Sequence, residues 1–255
     1  KLHERMFAVR FGSAVHAMLE TWIGDPCRVA WAPPGVPCSD AHHQLVRNKL
    51  RQYGLVGETH SDPRISDTAQ LIARTLHTPL PDIGPLVALE REQARAEMEF
   101  MFRLRGNRRG ALVHRLRQAG YLATTLGGEP AQSLYGLMQG FIDLVVECDG
   151  RYYVLDYKTN HLGDSPSAYA AQALEGAVGR ARYDLQYLIY AVALHRHLRH
   201  CLGSDYHLDR QFGGVQYLFV RAMDGNTAAG VFCDRPEPAF IEALDVFFDT
   251  EAELV

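Results

Sequence analysis

The sequence predicts an α/β fold, a mixed β-sheet built on a central hairpin and flanked by helices. Three observations carry the prediction. "GFIDLVVECDGRYYVLDYKTN", Gly140 to Asn160, reads as two apolar strands around an Asp-Gly turn. "GVQYLFVRAM", Gly214 to Met223, is a further apolar strand, and "RARYDLQYLIYAVALHRHLRHCL", Arg180 to Leu202, is the longest helical run. Strands apolar on both faces belong to a sheet covered on two sides. Strands mixed with helices make one α/β domain.

The elements follow in chain order. "FGSAVHAMLETWI", Phe11 to Ile23, is helical, with Val15, Leu19 and Trp22 on one stripe. "WAPPGVPCSD" is a loop by its prolines. Residues 42–53 and 67–77 read as helices, the second capped by Ser66 or Asp67. Thr78 to Pro85 is an extended connector, Ala96 to Leu104 alternates as a strand, and Arg109 to Ala119 makes a short helix. After the hairpin, the long helix and the strand from Gly214, a "DGNTAAG" turn leads to a short strand at Val231–Cys233. Pro238 to Asp249 is the last helix.

The 255 residues suit one large domain or two small ones, and no linker, repeat or low-complexity segment divides them. The formal charge of −4 argues against a large nucleic-acid surface and leaves room for a local basic cleft. Five cysteines, none close to another in sequence, fit neither a disulfide framework nor a zinc or iron–sulfur module. Free thiols imply a reducing cytoplasm. No apolar run is long enough to cross a bilayer and no signal peptide is visible. A first residue Lys1 in place of methionine reads as a fragment of a longer chain.

The hairpin carries charge where an apolar ribbon should carry none. If Asp149-Gly150 is a two-residue type I′ turn, Cys148 pairs with Arg151 and paired numbers sum to 299. Asp143 and Asp156 then oppose one another as a non-hydrogen-bonded pair, with Cα atoms about 4.5 Å apart. Lys158 lies on the same face, diagonal to Asp143. Directly opposed like charges destabilise a sheet. One lysine leaves the site negative, whereas a divalent cation resolves the conflict, and hard oxygen ligands suit Mg²⁺. Such an ion polarises a phosphoryl oxygen and acidifies a bound water, and the lysine can orient that water or offset developing charge. The bland reading is an Asp–Lys ion pair beside a solvated aspartate. The register and the apolar surroundings favour a metal-dependent phosphodiester-hydrolysis site.

Asp143 followed by Asp156-Tyr157-Lys158, each part preceded by an apolar run, resembles the PD-(D/E)xK nuclease superfamily. "GFIDLVVECDGRYYVLDYKTNHLG", "RYDLQYLIYAVALHRHLRH" and "FGGVQYLFVR" resemble more closely the C-terminal nuclease domains of the RecB family, the beta subunits of exodeoxyribonuclease V. The likeness covers nearly the whole chain, strongly from about 137 to 221 and thinly from 24 to 95. It implies a restriction-endonuclease-like core in a single nuclease domain, mostly helical over about 1–95 and catalytic over 96–255, cut from a larger helicase–nuclease subunit. It implies that Asp143 and Asp156 bind metal, that Lys158 is the catalytic lysine, and that His16 and the Tyr157 carbonyl are further ligands. Mg²⁺ is the implied ion, with Mn²⁺ or Ca²⁺ able to take its place in crystals. Glu99 matches the acid on the preceding strand. Glu97 alternates with it, so either could be a solvated strand residue, and Glu99 is favoured on motif position. Gln186 and Tyr190 match a Q-x3-Y motif and lie four apart on one helix face, aimed at substrate or at the site. Tyr190 reads equally as core packing.

Phe100 to Gly128 contains no acid and six arginines, among them Arg105, Arg108 and Arg109. This is a phosphate-tracking surface or a segment in water or against another subunit. "HRHLRH" reads as an exposed helix end. The resemblance implies cleavage of DNA, chiefly single-stranded, in double-strand-break repair and recombination. Helicase and other subunits of a RecBCD-type complex are implied partners. No G-x4-G-K-[ST] motif occurs, so the motor must lie elsewhere. The competing reading is an interaction module that docks helicase subunits or the RecA recombinase and cuts little itself.

Overall fold

A computed structural model describes residues 2–25, 29–57, 62–121 and 133–249, with side chains for all of these except 2–5, 106–109 and 133–135. Three helices come first: α1 (Leu2–Gly24), α2 (Asp40–Gln52) and α3 (Pro63–His77). Strand β1 (Ala94–Arg108) and helix α4 (Arg109–Gln118) lead to β2 (Ser133–Cys148) and β3 (Arg151–Lys158). Helices α5 (Ala171–Ala181), α6 (Tyr183–Leu202) and the short α7 (Leu208–Gln211) precede β4 (Phe212–Phe219) and β5 (Val231–Asp234). Helix α8 (Pro238–Asp249) follows.

The strands form one sheet in the order β1-β2-β3-β4-β5. Every neighbouring pair is antiparallel except β3 and β4, which are parallel. A parallel pair needs a crossover, and α5 and α6 supply it. One sheet face packs Leu144, Val146, Leu155 and Tyr157 against Val15, Met18, Leu19 and Ile72 of the first three helices. The other packs Val154, Val215 and Phe219 against Leu188, Ala191 and Val192 of α6 and Leu244 of α8. With both faces covered, the strands need apolar side chains on both.

Several boundaries differ from the sequence reading. Helix α1 begins nine residues before Phe11. Helix α3 starts at Pro63: Asp62 caps it, its carboxylate accepting from the Arg64 N–H at 3.0 Å, rather than Ser66 or Asp67. Proline suits a first helical position because its missing N–H would be unpaired there anyway. The long run from Arg180 is two helices, broken where Arg182 adopts the left-handed region at φ 61°. Strand β4 spans 212–219 rather than 214–223. The chain turns after Phe219, whose carbonyl accepts from Ala222 at 2.9 Å.

One irregularity places the site. Ala96 pairs with Leu144 and faces the first core, while Met98 pairs with Ile142 and faces the second. Residues two apart on a regular strand share a face. Between them stands Glu97 at φ 49°, opposite Asp143 and skipped by the ladder. The β1–β2 ribbon thus changes faces at Glu97 and Asp143. Beyond this point Phe100, Phe102, Leu104 and Met138 turn to the α6 side.

Candidate active site

Asp149 and Gly150 have φ of 49° and 75°, both positive as a type I′ turn demands. The ladder then runs from Cys148↔Arg151 to Leu144↔Leu155. It stops one step short of Asp143 and Asp156, so the expected ladder pair is not continued there. The reason is local. The Tyr157 N–H donates to the Asp143 carboxylate, Oδ2, at 3.0 Å instead of to the β2 backbone. The Tyr157 carbonyl meets His16 Nε2 at 2.8 Å. The strands part, and the Tyr157 peptide gives both its polar groups to side chains.

His16 projects from α1 into this opening. Its Nδ1 lies 3.2 Å from Asp143 Oδ2, and its side chain is 31 % exposed. Burial pushes the imidazole pKa down, but the hydrogen bond and charge of Asp143, with Asp156 and the Tyr157 carbonyl, outweigh it and raise it above the ordinary value. Glu97 borders the cluster. Burial first, then the charges of Asp143 and Glu20, raise its pKa.

Asp156 and Lys158 alternate with Tyr157 and face α6, where both are buried. Lys158 Nζ lies 2.6 Å from Asp156 Oδ1 and donates to Gln186 Oε1 at 2.9 Å. It also sits 4.0 Å from the centre of the Tyr183 ring and 4.5 Å from that of Tyr217, a cation–π seat on two sides. Gln186 accepts from the Tyr217 hydroxyl at 3.0 Å and donates to that of Tyr190 at 2.9 Å. The amide therefore holds the lysine and two tyrosines together. Burial and the charge of Asp143 raise the Asp156 pKa to about 7, although Lys158 opposes the shift. Among the described residues Asp156 Oδ1 has no donor other than the Lys158 ammonium that pairs with it.

This arrangement fits a divalent cation. A buried carboxylate oxygen held by the Lys158 ammonium alone, a second carboxylate, a backbone carbonyl and an imidazole are donors for such an ion. Among the described residues no three His, Cys, Asp or Glu side chains are gathered closely enough to hold an ion as they stand. The His16 ring instead bridges Asp143 and the Tyr157 carbonyl, two oxygens that an ion would join.

Other sequence-predicted residues lie elsewhere. Glu99 is exposed, and its carboxylate accepts from Gln139 Nε2 at 2.7 Å. Glu97, not Glu99, is the β1 acid at the cluster, because the left-handed residue breaks the alternation that made the two equivalent. Tyr190 is buried, edge-on to Phe100, and turns with Gln186 toward the lysine seat. Arg105 lies 3.6 Å from Asp249 in an exposed ion pair. The side chains of Arg108 and Arg109 lie outside the described residues. The sequence reading missed Tyr217 and the seat it makes with Tyr183. Tyr217 pairs with Asp156 across the parallel β3–β4 ladder, and parallel pairing carries no turn signal from which to read a register.

Comparison with known proteins gives concordant findings. The PD-(D/E)XK nuclease superfamily matches residues 2–244. The chain is 37 % identical over 206 residues to the RecBCD enzyme subunit RecB of Escherichia coli K12, covering 80 % of this chain and 17 % of that protein. It is 38 % identical over 218 residues to RecB of Haemophilus influenzae, covering 82 % and 17 %. With RecB of Mycobacterium tuberculosis H37Rv it is 32 % identical over 268 residues, covering 94 % and 23 %. The chain thus spans about a fifth of the length of these relatives.

Proposed function

The chain belongs to the PD-(D/E)XK nuclease superfamily, and from that premise we propose that it is a Mg²⁺-dependent DNase that hydrolyses phosphodiester bonds, chiefly in single-stranded DNA. The observation that carries the reading is the gathering of His16, Asp143 and the Tyr157 carbonyl beside a buried Asp156–Lys158 pair. His16, Asp143, Asp156 and the Tyr157 carbonyl would hold the ion. When bound, it supplies charge neutralisation at the phosphoryl group and acidifies water. Lys158 cannot swing freely, because Asp156, Gln186 and two aromatic rings fix its ammonium. A fixed ammonium orients the attacking water and offsets charge on the phosphoryl oxygens without reorganising. Water adds to phosphorus, the bond to the leaving oxygen breaks, and a proton ends on that oxygen. Glu97 tightens the negative field around His16 and Asp143.

Likeness to RecB supports a place for this domain in a RecBCD-type complex, with its helicase and other subunits as partners and double-strand-break repair as the setting. No described helix is long and apolar enough to cross a membrane. The test is cleavage of a labelled single-stranded oligonucleotide by the purified chain. Cleavage with Mg²⁺, none with chelator and none by a folded Lys158→Ala variant is the expected result. Undiminished cleavage by that variant would refute the assignment.

A further inference from the structure

The β1–β2 ribbon continues past the face switch, and one side of it is uncovered. Phe100, Phe102, Leu104 and Met138 turn to the α6 side and are packed. On the other side Glu99, Met101 and Arg103 of β1, and Leu137, Gln139 and Phe141 of β2, are all exposed. The three apolar residues are 58 %, 63 % and 47 % exposed for Met101, Leu137 and Phe141. The ladder joins these residues in rungs: Glu99 with Phe141, Met101 with Gln139 and Arg103 with Leu137. Before them stand Glu97 and Asp143, opposite one another where the ladder is interrupted, at the border of the candidate site. An exposed apolar row on a ribbon is a liability unless something covers it.

We propose that this face is a track for single-stranded DNA, along which bases rest on Phe141, Met101 and Leu137 as the strand passes to or from Asp143. The inference rests on the nuclease reading for its substrate. Three observations choose nucleic acid as the occupant. The face is continuous with the site, so a strand whose phosphate lies at Asp143 must leave over a neighbouring surface. Rungs on one face are about 7 Å apart, a step that one extended nucleotide can follow. The face also carries a cation for a phosphate, Arg103, exposed on its third rung. Glu99, the one carboxylate on the face, is engaged by Gln139. Aromatic and apolar platforms beside a basic path are how single strands are held without regard to sequence.

The test uses the whole chain with Ca²⁺ in place of Mg²⁺ and oligo(dT) as the probe. The variant is the triple serine change Phe141→Ser, Met101→Ser and Leu137→Ser. All three side chains are exposed, so the melting temperature should stay within a few degrees. Affinity should fall at least about tenfold, the effect of losing one stacked base. The slope of affinity against salt should not change, because no phosphate contact is removed. A second variant, Phe141→Trp, places a reporter on the face while both native tryptophans are buried. Its indole fluorescence should quench on adding oligo(dT). Unchanged affinity of the triple variant, or a reporter indifferent to DNA, overturns the proposal. So does loss of self-association at unchanged DNA affinity, which would make the face a protein interface. If wild-type chain cleaves with Mg²⁺ while the triple variant binds normally, this inference alone fails. If wild-type chain does not cleave, the nuclease reading fails, and a weakened triple variant still marks a strand-binding face.

Discussion

Gln186→Met separates a residue that positions Lys158 from one that touches DNA. Methionine matches glutamine in length but offers the site no comparable acceptor or donor. Three contacts go: the acceptor for Lys158 Nζ at 2.9 Å, the acceptor for the Tyr217 hydroxyl at 3.0 Å and the donor to the Tyr190 hydroxyl at 2.9 Å. A neutral hydrogen bond contributes about 0.5–1.5 kcal/mol and one to a charged group about 1.5–3 kcal/mol. The Tyr217 hydroxyl keeps a second acceptor in the Tyr183 carbonyl, and Lys158 keeps Asp156. The net loss should be about 2–4 kcal/mol, or roughly 5–15 °C in melting temperature for a chain of this size. The ammonium then loses one of the groups that fix it. A reacting group misplaced by about 1 Å costs about 100-fold in rate. Single-turnover cleavage at saturating oligonucleotide and Mg²⁺ should therefore slow by 10- to 100-fold, about the range that such a misplacement allows. DNA affinity in Ca²⁺ should hold, because Gln186 turns inward. A variant that cuts at the normal rate when saturated but binds DNA tenfold more weakly would refute this reasoning.

Three further outcomes are expected. Asp156→Asn should abolish cleavage, and in the metal-free protein it sets relief of the repulsion between two carboxylates against loss of the Lys158 ion pair. The raised pKa of Asp156 means its stabilisation is fully present below the ordinary carboxylate value and is lost as pH rises through about 7. The gap between variant and wild type should thus open over that window in denaturation with chelator, and a pH-independent gap would count against it. Asp245→Asn should cost about 2–4 kcal/mol, because the buried carboxylate joins Arg196 and Arg199 of α6 to α8. Burial opposes that ionisation, but the two guanidiniums win and lower the pKa. Stability is therefore present above the ordinary carboxylate value and lost as pH falls through the folded one, so urea curves of variant and wild type should converge in acid. Replacing Arg105, Arg108 and Arg109 together by Gln should weaken single-strand binding at low salt and flatten the salt slope by up to about 2. An unchanged slope would assign those arginines to solvent or to another subunit.

The hairpin was legible because its turn chemistry is local. Asp149-Gly150 fixes a type I′ turn, and the turn fixes the register through Leu144 and Leu155. That arithmetic brought Asp143, Asp156 and Lys158 to one place, and the family likeness brought His16 to them. The departure of the Tyr157 peptide from the ladder could not be read, because it depends on a side-chain acceptor competing with the backbone. Glu97 and Glu99 were equivalent under strand alternation, and only the left-handed backbone at Glu97 separates them. The break at Arg182 carries no glycine or proline to announce it, so tertiary packing overrides the local pattern there. Proline at the head of α3 was a readable signal, and its aspartate cap lies just before it. Gln186 and Tyr190 were readable as a helix-face pair, but their direction depends on Lys158 and Tyr217 from distant strands.

In the proposed site one divalent cation would be held jointly by His16, Asp143, Asp156 and the Tyr157 carbonyl. A crystal of the chain grown with Mn²⁺ and measured at the manganese edge tests it most directly. One anomalous peak is expected about 2.0–2.3 Å from oxygens of Asp143, Asp156 and Tyr157 and from a ring nitrogen of His16. With the ion bound, the His16 ring should no longer bridge Asp143 and Tyr157 by itself. No peak there at saturating Mn²⁺, with His16 still spanning the two oxygens, would contradict a shared cation at these residues.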